Sequence, residues 1–212
     1  MSFYEDRIFP IALNIALAGV KDTRQSIMAS AEGRVLEVGI GNGANLPFYT
    51  DKATEIVGVE PCKAMVDMAQ KKVDKLSAES THFNGDKYKL HVGGGEALEF
   101  EDNSFDTAVA CLVFCTIPEA EAAAKEMYRV LKPDGTLLFF EHVISSKGFM
   151  SSIQKALNPL WKPLACGCHL TRDTRSLFSG VGFEYNDIKE YSHPKMFNVF
   201  ANVIEGKAIK PA

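Results

Sequence analysis

Apolar and polar positions change their spacing repeatedly along this chain, and from Arg34 onward strand-like blocks alternate with helix-like blocks. The strand-like blocks are short runs rich in β-branched residues, of the kind that parallel sheets bury on both faces. Alternation of such strands with helices is typical of α/β proteins with a parallel sheet. The five strands predicted in this part of the chain cover residues 34–38, 55–60, 89–94, 105–114 and 136–143.

Helices are predicted between these strands from apolar residues at helical spacing. Residues 63–76 form an exposed helix with one apolar face, and residues 118–135 form a second helix that has proline in its first turn and stops at Pro133. The segment from Ala44 is predicted to supply a crossover helix, with a short or irregular start at Pro47.

The alternation of strand-like and helix-like blocks ends after Ser145. Residues 149–165 are predicted to form a helix broken by Pro159 and Pro163, because proline lacks the N–H that a helix interior needs. Residues 171–182 are predicted to form a shorter helix that ends at a glycine.

The last two predicted strands, residues 183–192 and 197–209, alternate apolar and polar positions. This alternation is the pattern of half-exposed antiparallel strands. The predicted fold is therefore α/β, with a seven-stranded, mostly parallel sheet, helices on both faces and a C-terminal antiparallel hairpin.

Composition narrows the class of protein. The 212 residues, 46% of them hydrophobic, are enough for one well-buried core and few for two domains. The 23 basic and 27 acidic residues give a net charge of −4 without a polybasic block, so we expect a small-molecule ligand and no nucleic-acid partner. The five cysteines are odd in number and lack the spacing of a disulfide framework, which indicates a reducing, cytoplasmic environment.

Residues 8–20 are the one apolar segment that suggests a membrane. The segment contains Pro10 and Asn14 and is far shorter than the roughly 20 residues that a spanning helix needs. It follows Glu5 and Asp6 rather than the basic region of a signal peptide. We predict no transmembrane segment and an amphipathic helix that caps the domain, with peripheral membrane contact through residues 8–20 as the alternative.

A glycine-rich loop follows the first predicted strand, and it admits two cofactors. The dinucleotide pattern G-x-G-x-x-G/A is matched at Gly39, Gly41 and Ala44. An acid-x-G-x-G-x-G pattern is matched at Glu37 and at the glycines Gly39, Gly41 and Gly43. Glu37 discriminates between the two, because a carboxylate there would repel a pyrophosphate and attract an α-ammonium group. S-adenosylmethionine carries such an ammonium and a sulfonium, and it has no phosphate.

Glu60 lies 17 positions after Gly43, at the end of the second predicted strand. An acid at this place can accept hydrogen bonds from both hydroxyls of a ribose. Both cofactors would use it in this way, so Glu60 supports a nucleoside site without choosing between them. The alternative is a solvated acid at a strand end.

The chain resembles the class I S-adenosylmethionine-dependent methyltransferases through four motifs in the family's order and spacing, VLEVGIGNGANLPFY, VGVEP, GEALEFEDNSFDTAV and EMYRVLKPDGTLLFFEHV. This resemblance implies S-adenosylmethionine as the cofactor and a Rossmann-like three-layer sandwich. The chain further resembles the alkyl thiol methyltransferases and their short anchorless prokaryotic relatives through YEDRIFP, NLPFY, CLVFCTIP, FFEHV and PLWKPLACGCHLTRDT. The resemblance therefore spans nearly the whole chain.

The resemblance implies a single methyltransferase domain over residues 1–212. Within it, residues 1–33 would form an N-terminal helical cap and residues 34–144 the cofactor-binding core. Residues 145–212 would form the acceptor-side helices and the terminal hairpin.

The resemblance also implies which residues contact the cofactor. The glycine loop would line its methionine end, Glu60 would hold the ribose, and the residues after Glu60 and around Glu96 would border the adenine. The sequence departs from the family at Gly94, where many small-molecule methyltransferases carry an aspartate that accepts from the adenine amino group. The predicted cofactor-binding residues are Glu37, Gly39, Gly41, Gly43, Asn45, Glu60, Pro61, Cys62, Gly95, Glu96, Ala97 and Cys115.

Acceptor-side residues should follow the fourth and fifth strands, because ligands lie over the carboxyl ends of parallel strands. A thiol acceptor needs little help, since its free pKa of about 8.5 leaves a few per cent as thiolate near neutral pH. His142, His169 and Arg172 are the candidate catalytic residues that would raise this fraction. The alternatives are a hydrogen-bonded strand-end histidine for His142, and a polar loop with a helix-start pair to Asp173 for the other two.

No metal site is predicted. Cys166, Cys168 and His169 form a C-x-C-H segment without a second ligand cluster, which is weak evidence for a metal. Cys111 and Cys115 are interpreted as small apolar residues on a buried strand.

The sequence thus predicts an enzyme that uses S-adenosylmethionine to methylate a small, fairly apolar acceptor, with a thiol preferred. Methylation of a quinone-like ring or a lipid amine is an alternative within the same chemistry. An NAD(P)-dependent oxidoreductase and a noncatalytic S-adenosylmethionine-binding protein are alternatives of other classes. An apolar acceptor pocket could be walled by the aromatic residues Phe114, Phe149, Trp161 and Phe197, for which core packing is the commoner role.

Overall fold

A seven-stranded sheet runs through the part of the chain that the computed structural model describes, residues 18–212. Its strands are β1 (Gly33–Val38), β2 (Ala53–Glu60), β3 (Tyr88–Val92), β4 (Phe105–Cys111), β5 (Leu131–His142), β6 (Glu184–Ser192) and β7 (Asn202–Ile209). Their order across the sheet is β3–β2–β1–β4–β5–β7–β6. Strands β1 to β5 are parallel, and β7 is antiparallel to both of its neighbours. The predicted α/β fold with a C-terminal antiparallel hairpin is confirmed.

The helices in this part of the chain are α1 (Lys21–Met28), α2 (Lys63–Glu79), α3 (Ala120–Val130), α4 (Gly148–Leu164) and α5 (Thr174–Gly180). Alternate side chains of β1 enter two different cores. Leu36 packs in the core that includes α3 and α5, while Val35 packs in the core that includes α1 and α2. Because burial on both faces requires apolar residues at successive positions, the central strands read as continuous apolar runs.

The predicted crossover helix between β1 and β2 is wrong, since a 3-10 turn over Leu46–Phe48 takes its place. Pro47 lies in that turn and has no backbone N–H to donate to a longer helix. The side chains on either side of the turn, Asn45 and Tyr49, both hydrogen-bond to Glu37 in β1. The loop is thereby tied to the sheet instead of extending as a helix.

The predicted break in the helix at Pro159 and Pro163 is also wrong, because α4 runs through both prolines. The two prolines are four residues apart, so their rings lie on the same side of the helix, and both are exposed. Water can satisfy the carbonyls that lose a partner on that side. Helix α3 ends at Val130, five residues before its predicted end, because β5 already begins at Leu131.

The predicted N-terminal helix over residues 8–20 falls almost entirely outside the described residues. Among residues 18–212, none of the helices combines the length and the apolar content needed to cross a bilayer.

Candidate functional site

A cleft of about 410 Å³ opens over the carboxyl ends of β1, β2 and β4. This is the edge of a parallel sheet where ligands bind in folds of this architecture. The residues that border it are Arg24, Val38, Gly39, Ile40, Gly41, Asn42, Ala44, Asn45, Val59, Glu60, Pro61, Cys62, Met65, Gly94, Gly95, Glu96, Cys111, Leu112, Val113, Thr116, Ile117, Pro118 and Cys166. Eight of the twelve predicted cofactor residues are among them, and Glu37, Gly43, Ala97 and Cys115 are not.

The glycine loop shows two different uses of glycine. Gly41 borders the cleft with φ +54°, and a Cβ there would meet only the sulfur of Met65, 4.0 Å away. The backbone at Gly41 is therefore open to a ligand. Gly43 has φ +74°, but a Cβ there would collide with Leu46. Its glycine is explained by packing of the loop, without any contact to a ligand.

Glu37 is buried behind the cleft and does not border it. Its carboxylate accepts hydrogen bonds from Asn45 Nδ2 at 2.6 Å and from the hydroxyl of Tyr49 at 2.7 Å. Arg24 donates to Asn45 Oδ1 at 2.7 Å and to the carbonyl of Ala44 at 3.0 Å. Burial raises the pKa of Glu37, and the two hydrogen bonds and the charge of Arg24 oppose this rise. Asn45 borders the cleft and hydrogen-bonds to Glu37, so it connects this buried acid to the cleft.

Glu60 ends β2 and borders the cleft directly. Its Oε2 accepts from the backbone N–H of Gly41 at 3.2 Å, and its Oε1 accepts from the N–H of Cys62 at 3.0 Å. Burial raises the pKa of this carboxyl, and the two backbone hydrogen bonds oppose the rise. Each oxygen keeps a lone pair for a further donor, such as a ribose hydroxyl.

Arg24 is the cleft residue that sequence reasoning missed most completely. It lies in α1, where a single arginine on a short helix carries no signal of a site. Only the packing of α1 against the glycine loop brings it to the cleft. Thr116 and Ile117, just after β4, border the cleft as well and were not singled out as cofactor residues.

The turn after β4 is held from two sides. Glu141 is fully buried, and its Oε1 accepts from the N–H groups of Val113 at 2.9 Å and Phe114 at 3.1 Å. Arg172 donates through Nε to the carbonyl of Phe114 at 3.1 Å and through Nη2 to that of Ile117 at 2.7 Å. Burial raises the pKa of Glu141 to about 7.

The predicted catalytic residues His169 and Arg172 do not border the cleft. The guanidinium of Arg172 is engaged with backbone carbonyls of the turn. The backbone N–H of His169 donates to the carbonyl of Cys115 at 2.7 Å, and its side chain is half-buried. Burial, followed by the charge of Arg172, lowers the pKa of His169.

His142 meets two cysteines from distant parts of the chain. Its Nε2 lies 3.2 Å from the sulfur of Cys168, and the ligand atoms of Cys115, His142 and Cys168 all lie within 4.8 Å of one another. The thiol of Cys115 and then His142 lower the pKa of Cys168 to about 4, against the opposing effect of burial. Burial lowers the pKa of His142, but the hydrogen bond and charge of Cys168 together with the charge of Glu141 outweigh burial, so that the pKa is raised. Sequence reasoning paired Cys168 with Cys166 and His169, and neither of these belongs to the cluster.

The four aromatic residues considered for an acceptor pocket do not border the cleft. Phe114 is fully buried, with its ring 4.8 Å from that of Phe178. Trp161 stacks on Phe200 at 5.5 Å, and Phe149 is 81% exposed. Phe197 is 78% exposed.

The charges of the cleft favour a cationic ligand. Of the residues that border it in the described part of the chain, Glu60 and Glu96 are acids and Arg24 is the one lysine or arginine. The carboxylate of Glu37 adds a further acid directly behind Asn45. This set suits the ammonium and sulfonium of S-adenosylmethionine and would repel the pyrophosphate of a dinucleotide.

Comparison with known proteins supports the same assignment. The profile of the methyltransferase domain family matches residues 36–139. Thiol S-methyltransferase TMT1B of Rattus norvegicus is 32% identical over 182 residues, which are 85% of this chain and 72% of the rat protein. Phosphatidylethanolamine N-methyltransferase of Cereibacter sphaeroides is 33% identical over 125 residues, which are 59% of this chain and 58% of that enzyme.

The fold is shared with a solved structure, that of the YcgJ protein from Bacillus subtilis, which superposes with a TM-score of 0.70. The superposition covers 92% of this chain and 99% of YcgJ at 17% sequence identity. The family match begins in β1 and includes the whole glycine loop, so the cofactor is S-adenosylmethionine rather than a dinucleotide. The chain is an S-adenosylmethionine-dependent methyltransferase, and it belongs to the family that includes the TMT1 thiol S-methyltransferases.

Proposed function

We propose that this methyltransferase transfers the methyl group of S-adenosylmethionine to the sulfur of a small, fairly apolar thiol. The observation that carries the proposal is the extent of the similarity to the rat thiol S-methyltransferase. A match of 182 residues cannot be contained in residues 1–139, so it includes part of the acceptor side beyond the common methyltransferase domain.

The similarity to the phosphatidylethanolamine enzyme supports a lipid amine less well. That match covers 125 residues, a length close to that of the common methyltransferase domain at residues 36–139. A match of this extent reflects the cofactor-binding half of the fold, which enzymes with many different acceptors share.

The residues of the cleft have distinct roles in this proposal. Asn45 and Gly39 would receive the methionine end beside the buried charge of Glu37, and the two oxygens of Glu60 would accept from the ribose hydroxyls. When bound, S-adenosylmethionine supplies a methyl carbon on a positively charged sulfur. The apolar side chains of Leu112 and Ile117 border the cleft after β4 and would exclude water from the acceptor.

Methyl transfer to sulfur needs orientation more than acid–base chemistry. Holding two reactants in line can supply about 7–11 kcal/mol of the reduction in barrier. The acceptor must be a thiolate, and we place His142 with its neighbour Cys168 on the acceptor side, at the carboxyl end of β5. Arg172 and His169 would act as positioning residues that hold the turn carrying Cys115 and Thr116.

The experiment is a transfer assay with methyl-labelled S-adenosylmethionine and a panel of acceptors. The panel contains alkyl thiols of increasing chain length, sulfide, phosphatidylethanolamine vesicles and a quinol. We expect label in the alkyl thiols, with kcat/KM rising as the alkyl chain lengthens, because each buried methylene contributes about 0.8 kcal/mol.

Label in the lipid or the quinol with all thiols inert would overturn the thiol proposal. Calorimetric binding of S-adenosylhomocysteine without turnover of any acceptor would favour a noncatalytic binding protein instead. Parallel reactions without enzyme correct for spontaneous methylation of the thiols.

A further inference from the structure

Three side chains that bind soft metal ions converge beside the cleft from three separate segments. Cys115 follows β4, His142 ends β5, and Cys168 lies between α4 and α5. Their sulfur and nitrogen atoms all lie within 4.8 Å of one another, and His142 Nε2 is 3.2 Å from the sulfur of Cys168. The three residues are far apart in sequence, so the fold and not a local sequence motif brings them together.

The distances suit a tetrahedral zinc ion. Zinc–sulfur bonds of about 2.3 Å and zinc–nitrogen bonds of about 2.0 Å place neighbouring ligand atoms roughly 3.5–3.8 Å apart. The three ligand atoms already lie within about an ångström of that arrangement. Small rotations of the side chains would therefore complete the site.

The burial of the three residues fits a metal site that can still be reached. Cys115 is 3% exposed and His142 is 5% exposed, while Cys168 is half-buried. The two inner ligands lie at the end of β5 and in the turn after β4, and Cys168 is the most exposed of the three. Thr116 and Cys166, neighbours of two of the ligands along the chain, border the cofactor cleft.

The ligand set selects the metal and its chemistry. Thiolates with an imidazole favour Zn²⁺ over Mg²⁺ and Ca²⁺, which prefer oxygen ligands. Three protein ligands, Cys₂His, leave the fourth position of a tetrahedral ion open, and this is the arrangement of catalytic rather than structural zinc sites. Sulfur is a favoured ligand at such an open position.

We propose that Cys115, His142 and Cys168 bind a single Zn²⁺, and that its fourth position takes the sulfur of the acceptor thiol. The acceptor half of this proposal rests on the proposed function, whereas the metal site does not. The site would keep the acceptor as a metal-bound thiolate close to the methyl donor.

The chemical step balances in atoms and charge. All three ligands bind the metal in their deprotonated forms: Cys115 gives up its thiol proton, Cys168 is already a thiolate, and His142 binds as the neutral imidazole. Coordination of the acceptor releases its thiol proton to water. The acceptor sulfur then uses a lone pair to bond the methyl carbon, while the bond from that carbon to the sulfonium breaks and its electron pair stays on the departing sulfur. Both products are neutral thioethers, and the methylated acceptor leaves because a thioether is a weaker ligand than a thiolate.

The test is a titration of chelator-treated protein with Co²⁺, which replaces Zn²⁺ in tetrahedral sites and absorbs visible light. We expect saturation at a single equivalent, with a thiolate charge-transfer band in the near ultraviolet. In Cys168→Ser and His142→Gln the affinity for Co²⁺ should fall by about a hundredfold or more. Even mutation of a residue that only hydrogen-bonds to a metal ligand lowers metal affinity by about 10–100-fold. Circular dichroism and S-adenosylhomocysteine binding check that each variant is folded.

Cys166→Ser and His169→Gln are the matched controls, because both side chains lie in the same segment as Cys168 and outside the cluster. His169 holds the turn through its backbone N–H, which glutamine keeps. Their Co²⁺ spectra should match that of the wild type. Absence of the charge-transfer band, or its loss in either control variant, would overturn the metal site.

A second measurement tests the fourth position. An alkyl thiol added to the Co²⁺ protein should intensify the charge-transfer band, and removal of Zn²⁺ should lower kcat/KM for thiols while leaving S-adenosylhomocysteine affinity unchanged. A thiol that is methylated equally well without metal would overturn the acceptor role. Failure of the proposed function is distinguishable, because metal would then bind normally while lipid or quinol, and no thiol, was methylated.

Discussion

The buried carboxylate of Glu37 lies behind Asn45, one residue removed from the cleft. A carboxylate in this position is held by the hydroxyl of Tyr49 and the amide of Asn45 and faces no solvent. Its charge still acts on a cationic ligand, because electrostatic interactions are screened less in a buried site than in water. Mutations of Glu37 therefore report on both stability and cofactor binding.

The pH dependence of stability should change in Glu37→Gln. Burial raises the pKa of this carboxyl in the native protein, so the native state holds a proton over a pH range in which the unfolded chain has lost it. The stabilisation is complete at low pH and is lost as the pH rises through the folded pKa. We expect the free energy of unfolding in urea to fall less steeply with rising pH above about pH 4 in the variant than in the wild type.

The control for this prediction is Glu121→Gln, in which an exposed acid is replaced. This change should not flatten the pH profile. A profile that becomes steeper in Glu37→Gln would contradict a raised pKa at this site.

Glu60→Gln should weaken cofactor binding. The glutamine keeps one acceptor oxygen, so it cannot accept from Gly41, Cys62 and both ribose hydroxyls in the way that the carboxylate can. Hydrogen bonds to charged groups contribute about 1.5–3 kcal/mol, so we expect the Kd for S-adenosylhomocysteine to rise by about tenfold or more in calorimetry.

Glu55→Gln is the matched control on the same strand, since Glu55 forms a partly exposed ion pair with Arg34 away from the cleft. Its Kd should equal that of the wild type. Equal affinities in Glu60→Gln and Glu55→Gln would remove Glu60 from the cofactor site.

Among the structural elements, the turn of residues 112–117 lies between the cofactor cleft and the cysteine–histidine cluster. It borders the cofactor cleft through Thr116 and carries Cys115 of the cysteine–histidine cluster. Glu141 holds its N–H groups and Arg172 holds its carbonyls, so both ends of the turn are fixed by buried or half-buried charges. Substitutions in β5 or in the segment before α5 should therefore affect cofactor binding.

Arg172→Gln should loosen this turn. Loss of the two hydrogen bonds from the guanidinium should lower the free energy of unfolding by about 1.5–3 kcal/mol. The control, Arg175→Gln, removes an exposed ion pair with Glu190 and should change the free energy of unfolding by no more than about 0.5 kcal/mol. Urea unfolding of both variants checks the difference, and equal stabilities would show that the turn does not depend on Arg172.

Strands and helices were predictable where apolar residues kept one spacing, that of a strand or that of a helix, over a long stretch of the sequence. The buried strands β1 and β2 and the helix α2 were found within a few residues of their ends, because burial on one or both faces imposes a strict pattern. The crossover after β1 was not predictable in this way, since Asn45 and Tyr49 hydrogen-bond to Glu37, which lies 8 and 12 residues away from them in sequence. Local propensity cannot register such side-chain contacts.

The site was predictable to the extent that it is local in sequence. Gly39, Gly41 and Glu60 follow their strands directly, and the parallel arrangement brings them to one edge. Arg24 and Cys168 depend on the packing of α1 and of the segment after α4, so their positions follow from tertiary structure alone. The C-x-C-H segment places Cys168 near Cys166 and His169 in sequence, whereas in the structure its sulfur lies beside Cys115 and His142.

At the scale of the whole molecule, cofactor binding should be visible as a gain in stability. A ligand that binds only the native state adds about 2.7 kcal/mol at one hundred times its Kd. For a domain of this size we expect S-adenosylhomocysteine to raise the Tm by about 5–10 °C at that concentration. Differential scanning fluorimetry with S-adenosylhomocysteine and NAD measures this, and a rise with NAD alone would contradict the cofactor assignment.

The position of β7 between β5 and β6 sets an order of events during synthesis. Each of the strands from β2 to β5 can join the sheet beside a strand that has already been made. Strand β6 cannot, because its neighbour in the sheet, β7, follows it in the chain. Val203 of β7 also pairs with His142, the inner histidine of the cluster. On the ribosome, the five parallel strands, among them those that border the cofactor cleft, can therefore pair first, whereas the edge strand β6 waits for the last strand.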